Sequence, residues 1–298
     1  MKLHCLTPES FADYELLDCG QFQKLERFGA TITIRPEPQA VWQPGQSMKD
    51  WEQQAHVKFV PKSSSSGDWK KLKAVSDRWP IQYTLPNKKT IKLRLGLTSF
   101  KHVGVFPEQA VNWNYITESL HQITAEQPKF LNLFAYTGAA SLAARAAGAD
   151  VTHVDSIKQV VTWANENQQI SNLSQIRWVV EDALKFVKRE LKRGNTYHGI
   201  ILDPPAYGHG ANGEKWKLED QIGEMMELVL QLLNKEQHFL ILNAYSLGFS
   251  AMILNNLVQQ RFRPNQLECG ELFLNDRFDK KLPLGAFARF RKTQKPTR

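Results

Sequence analysis

Two periods of apolar residues divide the chain. In the first third the runs are short and alternate. "YELLDCGQFQKLERFGATITIRP" breaks into apolar stretches separated by Gly and polar turns, and "ATITIRP" is alternating and β-branched, the pattern of a strand. "WPIQYTLPNKKTIKLRLGLT" predicts a hairpin turning at Pro86-Asn87, and "PKSSSSGDWKK" predicts a flexible loop. Near residue 107 the period changes. "PEQAVNWNYITESLHQI" opens on a proline and places Val111, Tyr115, Ile116, Leu120 and Ile123 on one helical face. Strands and helices then alternate. The strands are "KFLNLF", "DVTHVD", "IRWVVED", "HGIILDPP" and "HFLILNAYS"; "QLECGELFL" and "LGAFARFRK" close the chain. "GIIL" and "FLIL" are apolar at every position, as strands covered on both faces are. The alternation predicts a doubly wound α/β sheet over residues 105–298 behind a smaller β-rich domain over residues 1–104.

Composition adds little to that picture and charge adds more. The chain has 298 residues, 42% of them hydrophobic and 23% charged, the balance of a globular protein. No apolar run approaches the length of a membrane span, and the first residues lack the basic-then-apolar order of a secretory signal. Cys5, Cys19 and Cys269 form neither a C-x-x-C pair nor a disulfide framework, so the expected setting is the reducing cytoplasm, with no metal. The net charge is +8, yet residues 58–101 alone carry eleven Lys or Arg against Asp68 and Asp77, which is +9. A basic segment of this kind suits a polyanion such as RNA; the alternative is a solvated set of strand faces.

The candidate chemistry lies at strand ends. The turn Ala135-Tyr136-Thr137-Gly138 follows the first strand of the α/β sheet and runs straight into a helix. Gly138 permits close backbone approach, and the helix start offers free N–H groups. The second strand ends in Asp155, placed to accept from two ribose hydroxyls, and the third in Glu181-Asp182, where Asp182 can accept from an adenine amino group. The fourth ends in Asp203. Each acid alone could simply cap the next helix. Together they describe a nucleotide rim. Neither G-x-G-x-x-G nor a P-loop is present. An adenosine ligand without a pyrophosphate fits best, namely S-adenosyl-L-methionine.

"FLNLFAYTGAASLAARAAGADVTHVD", "EDALKF" and "DPPAYG" together resemble the motifs of class I S-adenosylmethionine-dependent methyltransferases. The nearest branch is that of the bacterial large-subunit rRNA methyltransferases acting on cytosine C5 or guanine N7, with their relatives. The resemblance implies a Rossmann-like, mostly parallel sheet with an antiparallel final strand. It implies that Phe134, Tyr136, Thr137 and Gly138 line the methionine part, Asp155 the ribose, and Asp182 with Ala183 the adenine. "GVFPEQ" is similar to the family's G-x-F-x-D-Q-R segment, so Gln109 would reach the cofactor's carboxylate end, with Glu108 in place of Asp and Ala110 in place of Arg. Members acting on cytosine C5 carry cysteines after the fifth strand; here that position reads Asn243-Ala244-Tyr245-Ser246. C5 chemistry needs that nucleophile, and Cys269 reads as a small buried residue.

The expectation is therefore methyl transfer to a nucleobase nitrogen of RNA, with rRNA as the substrate. Asp203 and the backbone of Pro204 and Pro205 would receive the acceptor, and Tyr207 would stack on it. "GHGANGEKW" would follow as a mobile, lid-like loop. The alternatives are the same cofactor used on a protein or small molecule, and a non-catalytic RNA-binding relative.

Overall fold

The computed structural model describes residues 2–63, 66–210, 213–245 and 248–293. The N-terminal region runs β1 (Leu3–Leu6), β2 (Tyr14–Gly20), β3 (Gln23–Phe28), β4 (Thr31–Pro36), α1 (Met48–Gln54), β5 (Val57–Pro61) and β6 (Gly67–Lys71). A hairpin follows, β7 (Arg78–Thr84) and β8 (Thr90–Gly96). After a 3-10 turn at Pro107–Gln109 come α2 (Ala110–His121), β9 (Lys129–Leu133), α3 (Ala139–Ala146), β10 (Asp150–Asp155), α4 (Lys158–Ile170), β11 (Ile176–Val180) and α5 (Ala183–Lys192). The remainder is β12 (Gly199–Leu202), β13 (Tyr207–His209), β14 (Lys215–Lys217), α6 (Leu218–Gln231), β15 (His238–Ala244), α7 (Ala251–Gln259), β16 (Leu267–Asn275) and β17 (Lys281–Lys292).

The main sheet has eight strands in the order β1-β16-β17-β15-β12-β9-β10-β11. From β11 through β10, β9 and β12 to β15 every pair is parallel, and β17 is antiparallel to both β15 and β16. The sheet matches the expected class I methyltransferase architecture. Its first strand in sequence, β1, was not anticipated there. It pairs parallel with β16, Leu3 opposite Cys269, so the chain crosses from the main sheet into the N-terminal region and back.

Parallel strands must be covered on both faces, and two apolar clusters do so. On one face Ile116 and Leu120 of α2 and Leu142 of α3 pack with Phe130 and Phe239 of the sheet; this cluster continues into Phe28, Ile81 and Leu93 of the N-terminal strands. On the other, Phe186, Met225, Val229 and Leu254 of α5, α6 and α7 cover Leu131, Ile200 and Leu240. Each such side chain contributes about 1.5–3 kcal/mol on burial. The shared first cluster holds the N-terminal strands against the catalytic sheet.

The N-terminal region has a five-stranded sheet, β2-β3-β4-β5-β6, with the β7–β8 hairpin separate from it. The hairpin lies along α4: the Trp163 indole donates to the Arg94 carbonyl at 2.7 Å, and the Asn167 side chain accepts from the Arg94 amide at 2.7 Å. Its predicted turn is present, flanked by Thr84 and Thr90. Residues 208–216, expected as a lid-like loop, instead carry most of a β13–β14 hairpin in which Tyr207 pairs with Lys217 and Gly208 with Trp216. Buried Trp216 packs its second strand into the fold. Ala211 and Asn212 of that loop, and Ser64 and Ser65 of the serine stretch, lie outside the described residues.

Candidate active site

The strand order reverses at β9, whose neighbours are β10 on one side and β12 on the other. Chain connections leave this point in opposite directions and open a crevice at the strand carboxyl ends. The turn after β9 sits there in an unusual conformation. Phe134 and Tyr136 have φ of 55° and 49°, and Gly138 has φ of 86°. Positive φ at two aromatic residues is costly, and several bonds hold them. The Ala135 amide donates to the Val154 carbonyl at 3.1 Å, and the Tyr136 amide to Asp155 Oδ2 at 2.9 Å. The Thr137 hydroxyl donates to the Gly104 carbonyl at 2.7 Å, and Asn167 Nδ2 donates to the Thr137 carbonyl at 2.9 Å. Thr137 is thus buried, with its hydroxyl engaged inside the fold. A Cβ on Gly138 would lie 3.0 Å from the Ala164 methyl, so the space beside the start of α3 admits only glycine without strain.

Asp155 ends β10. Its Oδ1 accepts from the Ile157 amide at 2.9 Å, as Oδ2 does from Tyr136, so one carboxylate ties two loops together. Burial raises its pKa against those bonds. Beyond it Ile157 and Val180 present exposed apolar side chains, 40% and 46% accessible, at the ends of neighbouring strands. Asp182 caps α5, its Oδ1 accepting from the Lys185 amide at 2.9 Å; Ala183 is buried in the first turn.

On the other side of the turn Gln109 Oε1 accepts from Asn112 Nδ2 at 2.8 Å and from Asn243 Nδ2 at 3.2 Å. This arrangement fixes the Gln109 amide with its Oε1 turned toward Asn112 and Asn243. Asn243, the first residue of the Asn243-Ala244-Tyr245-Ser246 stretch, is part of that amide network. Cys19 and Cys269 are buried and Cys5 is exposed on β1. Ala110 is fully buried at the start of α2. Glu108 is 4% exposed; burial pushes its carboxyl up to about 7, with the Asp203 charge adding and Lys24 opposing.

Asp203 follows β12. Burial pushes its carboxyl up to about 7. Pro204 is buried and Pro205 exposed. The Trp216 indole donates to the Pro205 carbonyl at 2.7 Å, and the Leu218 amide donates to the Ala206 carbonyl at 3.0 Å. The Trp216 ring lies 4.8 Å from Phe134, joining the two turns of the site. Tyr207 is 55% exposed on the outer hairpin.

A cleft of about 600 Å³ opens beside this turn, lined by Ala206, Tyr245, Phe249 and Gly285 of the main sheet side and by Glu37, Gln39 and Lys101 of the N-terminal side. Beneath it a water-sized cavity of about 20 Å³ is lined by Glu37, Lys101, Glu108 and Tyr245. The Tyr245 hydroxyl donates to Glu37 Oε1 at 3.0 Å. Glu37 is 2% exposed and pairs with Lys24 Nζ at 3.1 Å. Burial works against its charge, but Lys24 and Lys101 hold its pKa down.

The basic segment does not converge on this cleft. Lys101 lines it, whereas Lys92, near the hairpin turn, lies beside Ser171 at the C-terminal end of α4. Lys88 and Lys89 sit in that turn, one seven-residue strand away from the rim, about 20 Å. Lys58, Lys62, Lys71 and Arg94 are paired with Glu52, Asp68, Asp77 and Glu166.

The structure therefore brings Gln109, Phe134, Tyr136, Gly138, Asp155, Asp182 and Asp203 to one rim, and leaves Tyr207 on the outer hairpin. Sequence reasoning did not find Ile157, Trp216, Glu37 or Tyr245. Ile157 stands two residues after a strand-end acid and was detectable. The others are joined to the site only through contacts between distant segments.

Comparison with known proteins bears on the chain as follows. Residues 110–240 match the family described as Conserved hypothetical protein 95. A ribosomal RNA large subunit methyltransferase K/L of Shewanella frigidimarina is 30% identical over 156 residues, 51% of this chain but 21% of that protein. The chain thus spans about a fifth of the length of this relative. A SAM-dependent methyltransferase of Agrobacterium tumefaciens, solved by crystallography, is 35% identical with a TM-score of 0.90, covering 97% of this chain and 94% of the other. The tRNA m1G37 methyltransferase of M. jannaschii, at 11% identity and a TM-score of 0.54, covers 95% of this chain and 75% of that one and shares the fold.

Proposed function

The chain belongs to the S-adenosylmethionine-dependent methyltransferases, and from that membership we propose that it transfers a methyl group to a nucleobase nitrogen of RNA, with rRNA as the substrate. The observation that carries this reading is the cleft of about 600 Å³ that opens at Ala206, directly after the Asp203-Pro204-Pro205 turn. Its volume is in the range of about 300–1,000 Å³ usual for sites that enclose a flat small ligand. The rRNA methyltransferase named above supports the substrate class, and Lys101 supplies a cation at the cleft wall. On this reading the protein works in the cytoplasm, where that RNA is made.

The rim fits the cofactor. Gly138 lets the turn take the positive φ that sets the start of α3 at the rim, Gln109 offers its amide toward a carboxylate, Asp155 and Asp182 offer acceptors, and Ile157 gives an apolar wall. Bound there, S-adenosyl-L-methionine supplies an electrophilic sulfonium methyl. The chain's own contribution is orientation. Asp203 in its ionised form accepts from an amino or ring N–H group of the base and aims the nitrogen lone pair toward the rim. A ring nitrogen without a proton, such as guanine N7, needs only placement against the proline floor. The β-rich N-terminal region supplies one wall of the cleft through Glu37 and Gln39.

Labelled methyl transfer to rRNA, isolated from a strain lacking the protein, tests the reading. Label retained in RNA and lost on RNase treatment supports it. Label in protein or in a small metabolite instead overturns it. Nucleoside mass spectrometry of the same rRNA beside wild type then identifies the base and atom.

A further inference from the structure

We propose that Tyr245 is the platform on which the acceptor base stacks, and that Glu37 of the N-terminal sheet side holds its ring in place for that purpose. The inference rests on the RNA reading above and deepens it by naming the acceptor-side residue. Three observations carry it. The first is register. Leu202 of β12 pairs with Leu242 of β15 in a parallel ladder; β12 ends there, and β15 continues through Asn243 and Ala244 beside β17 before Tyr245 leaves the sheet at the same edge as Asp203-Pro204-Pro205. Tyr245 therefore emerges next to the proline floor, on the side away from β9.

The second observation is how the ring is fixed. Its hydroxyl donates to Glu37 Oε1 at 3.0 Å, across the boundary between the two halves of the molecule. Glu37 is itself fixed by Lys24 at 3.1 Å. At the other end the ring lies beside Gly285 of β17. Gly285 has φ of 149°, and a Cβ built there would stand 3.8 Å from Tyr245 Cδ2 and 3.4 Å from the Ala244 carbonyl. A tyrosine pinned at its hydroxyl and seated against a glycine loses little further freedom when a base arrives.

The third is exposure. With its hydroxyl bonded and its edge packed, Tyr245 still exposes 38% of its surface, and it lines the cleft together with Pro38, Phe249 and Pro283. Flat apolar groups facing a cleft that also carries Gln39 and Lys101 make a site for a heteroaromatic ring with polar edges. Tyr207, the aromatic residue nearest in sequence to the prolines, stands on the outer hairpin.

The test compares Tyr245→Ala, Tyr245→Leu and Tyr245→Phe with the wild type. Each is assayed for labelled methyl transfer to rRNA from a strain lacking the protein, and for S-adenosylmethionine affinity by calorimetry. Loss of one stacked base predicts a fall in kcat/KM for RNA of about 5- to 150-fold in Tyr245→Ala and Tyr245→Leu. Tyr245→Phe keeps the ring but loses the bond to Glu37, so its kcat/KM falls measurably but by less than that of Tyr245→Leu, and all three bind the cofactor as the wild type does; a Tyr245→Phe rate equal to the wild type's overturns the role given to Glu37. Tyr245→Leu preserves bulk, so it decides the question if the alanine variant fails to fold. Wild-type transfer that Tyr245→Leu leaves within about twofold overturns this inference alone. Absence of transfer by the wild type to this RNA overturns the RNA reading, and this inference with it.

Discussion

Trp216 donates its indole hydrogen to the Pro205 carbonyl at 2.7 Å while its ring rests 4.8 Å from Phe134. One buried side chain from the β13–β14 hairpin thereby joins the proline turn after β12, proposed above as the acceptor floor, to the turn at the switch point. Trp216→Phe keeps the ring contact and removes the bond. Unfolding in urea should show a loss of about 1 kcal/mol, the usual net worth of such a bond. Methyl transfer should fall further than cofactor affinity does, since the freed carbonyl belongs to the floor. Equal losses in the two would show that the bond acts on the whole site and not on the floor.

Asp155 tests the cofactor rim. Its two oxygens accept from the Tyr136 and Ile157 amides, so Asp155→Ala releases two loops and, on the proposed reading, removes the ribose acceptor as well. Calorimetry with S-adenosylmethionine should register a loss of at least about tenfold in affinity. An unchanged Kd would remove Asp155 from the site.

Glu108 and Asp203 make a pH prediction. Both carboxyls are pushed up to about 7 by burial, and the Asp203 charge adds to the shift at Glu108. Because the folded protein holds these protons at higher pH than the unfolded chain does, stability falls as pH rises from about 5 through 7. Glu108, starting from an ordinary value of 4.5, accounts for about 3 kcal/mol of that fall. Glu108→Gln should flatten the pH dependence of urea midpoints over this window. A slope equal to the wild type's would place the titration elsewhere.

The same pair shapes the activity profile. If ionised Asp203 receives the base, kcat/KM rises with pH and levels off above an apparent pKa near 7, the value to which burial pushes its carboxyl. Asp203→Asn should lower the rate and leave it without that ascending limb. A wild-type profile flat from pH 6 to 8 argues instead for an acceptor nitrogen that needs only placement.

Gly138→Ala should destabilise the fold by about 1–2 kcal/mol, because an L residue at φ of 86° is strained and its methyl would crowd Ala164 at 3.0 Å. Cofactor affinity should weaken with it. Unimpaired binding in a stably folded Gly138→Ala protein would show that the turn can shift without affecting the rim.

Sequence by itself determined the sheet and which acids stand at its strand ends. Fully apolar strands such as "GIIL" require cover on both faces, and the alternation of strand and helix leaves few ways to provide it. Acids at strand ends fall on the same edge because parallel strands all end there, so Asp155, Asp182 and Asp203 were legible as a group. Only the tertiary structure decided the acceptor side. The bond from Tyr245 to Glu37 spans 208 positions, and the pairing of Leu3 with Cys269 joins the two ends of the chain. No local period records such contacts. They arise when the N-terminal strands share a core with α2 and α3 and bring Glu37 to the cleft. The basic segment shows the converse: contiguous in sequence, its charges are spread by β-strand geometry over β5 and β6 of the five-stranded sheet and over the separate β7–β8 hairpin, and among the described residues Lys101 is the member that lines the cleft.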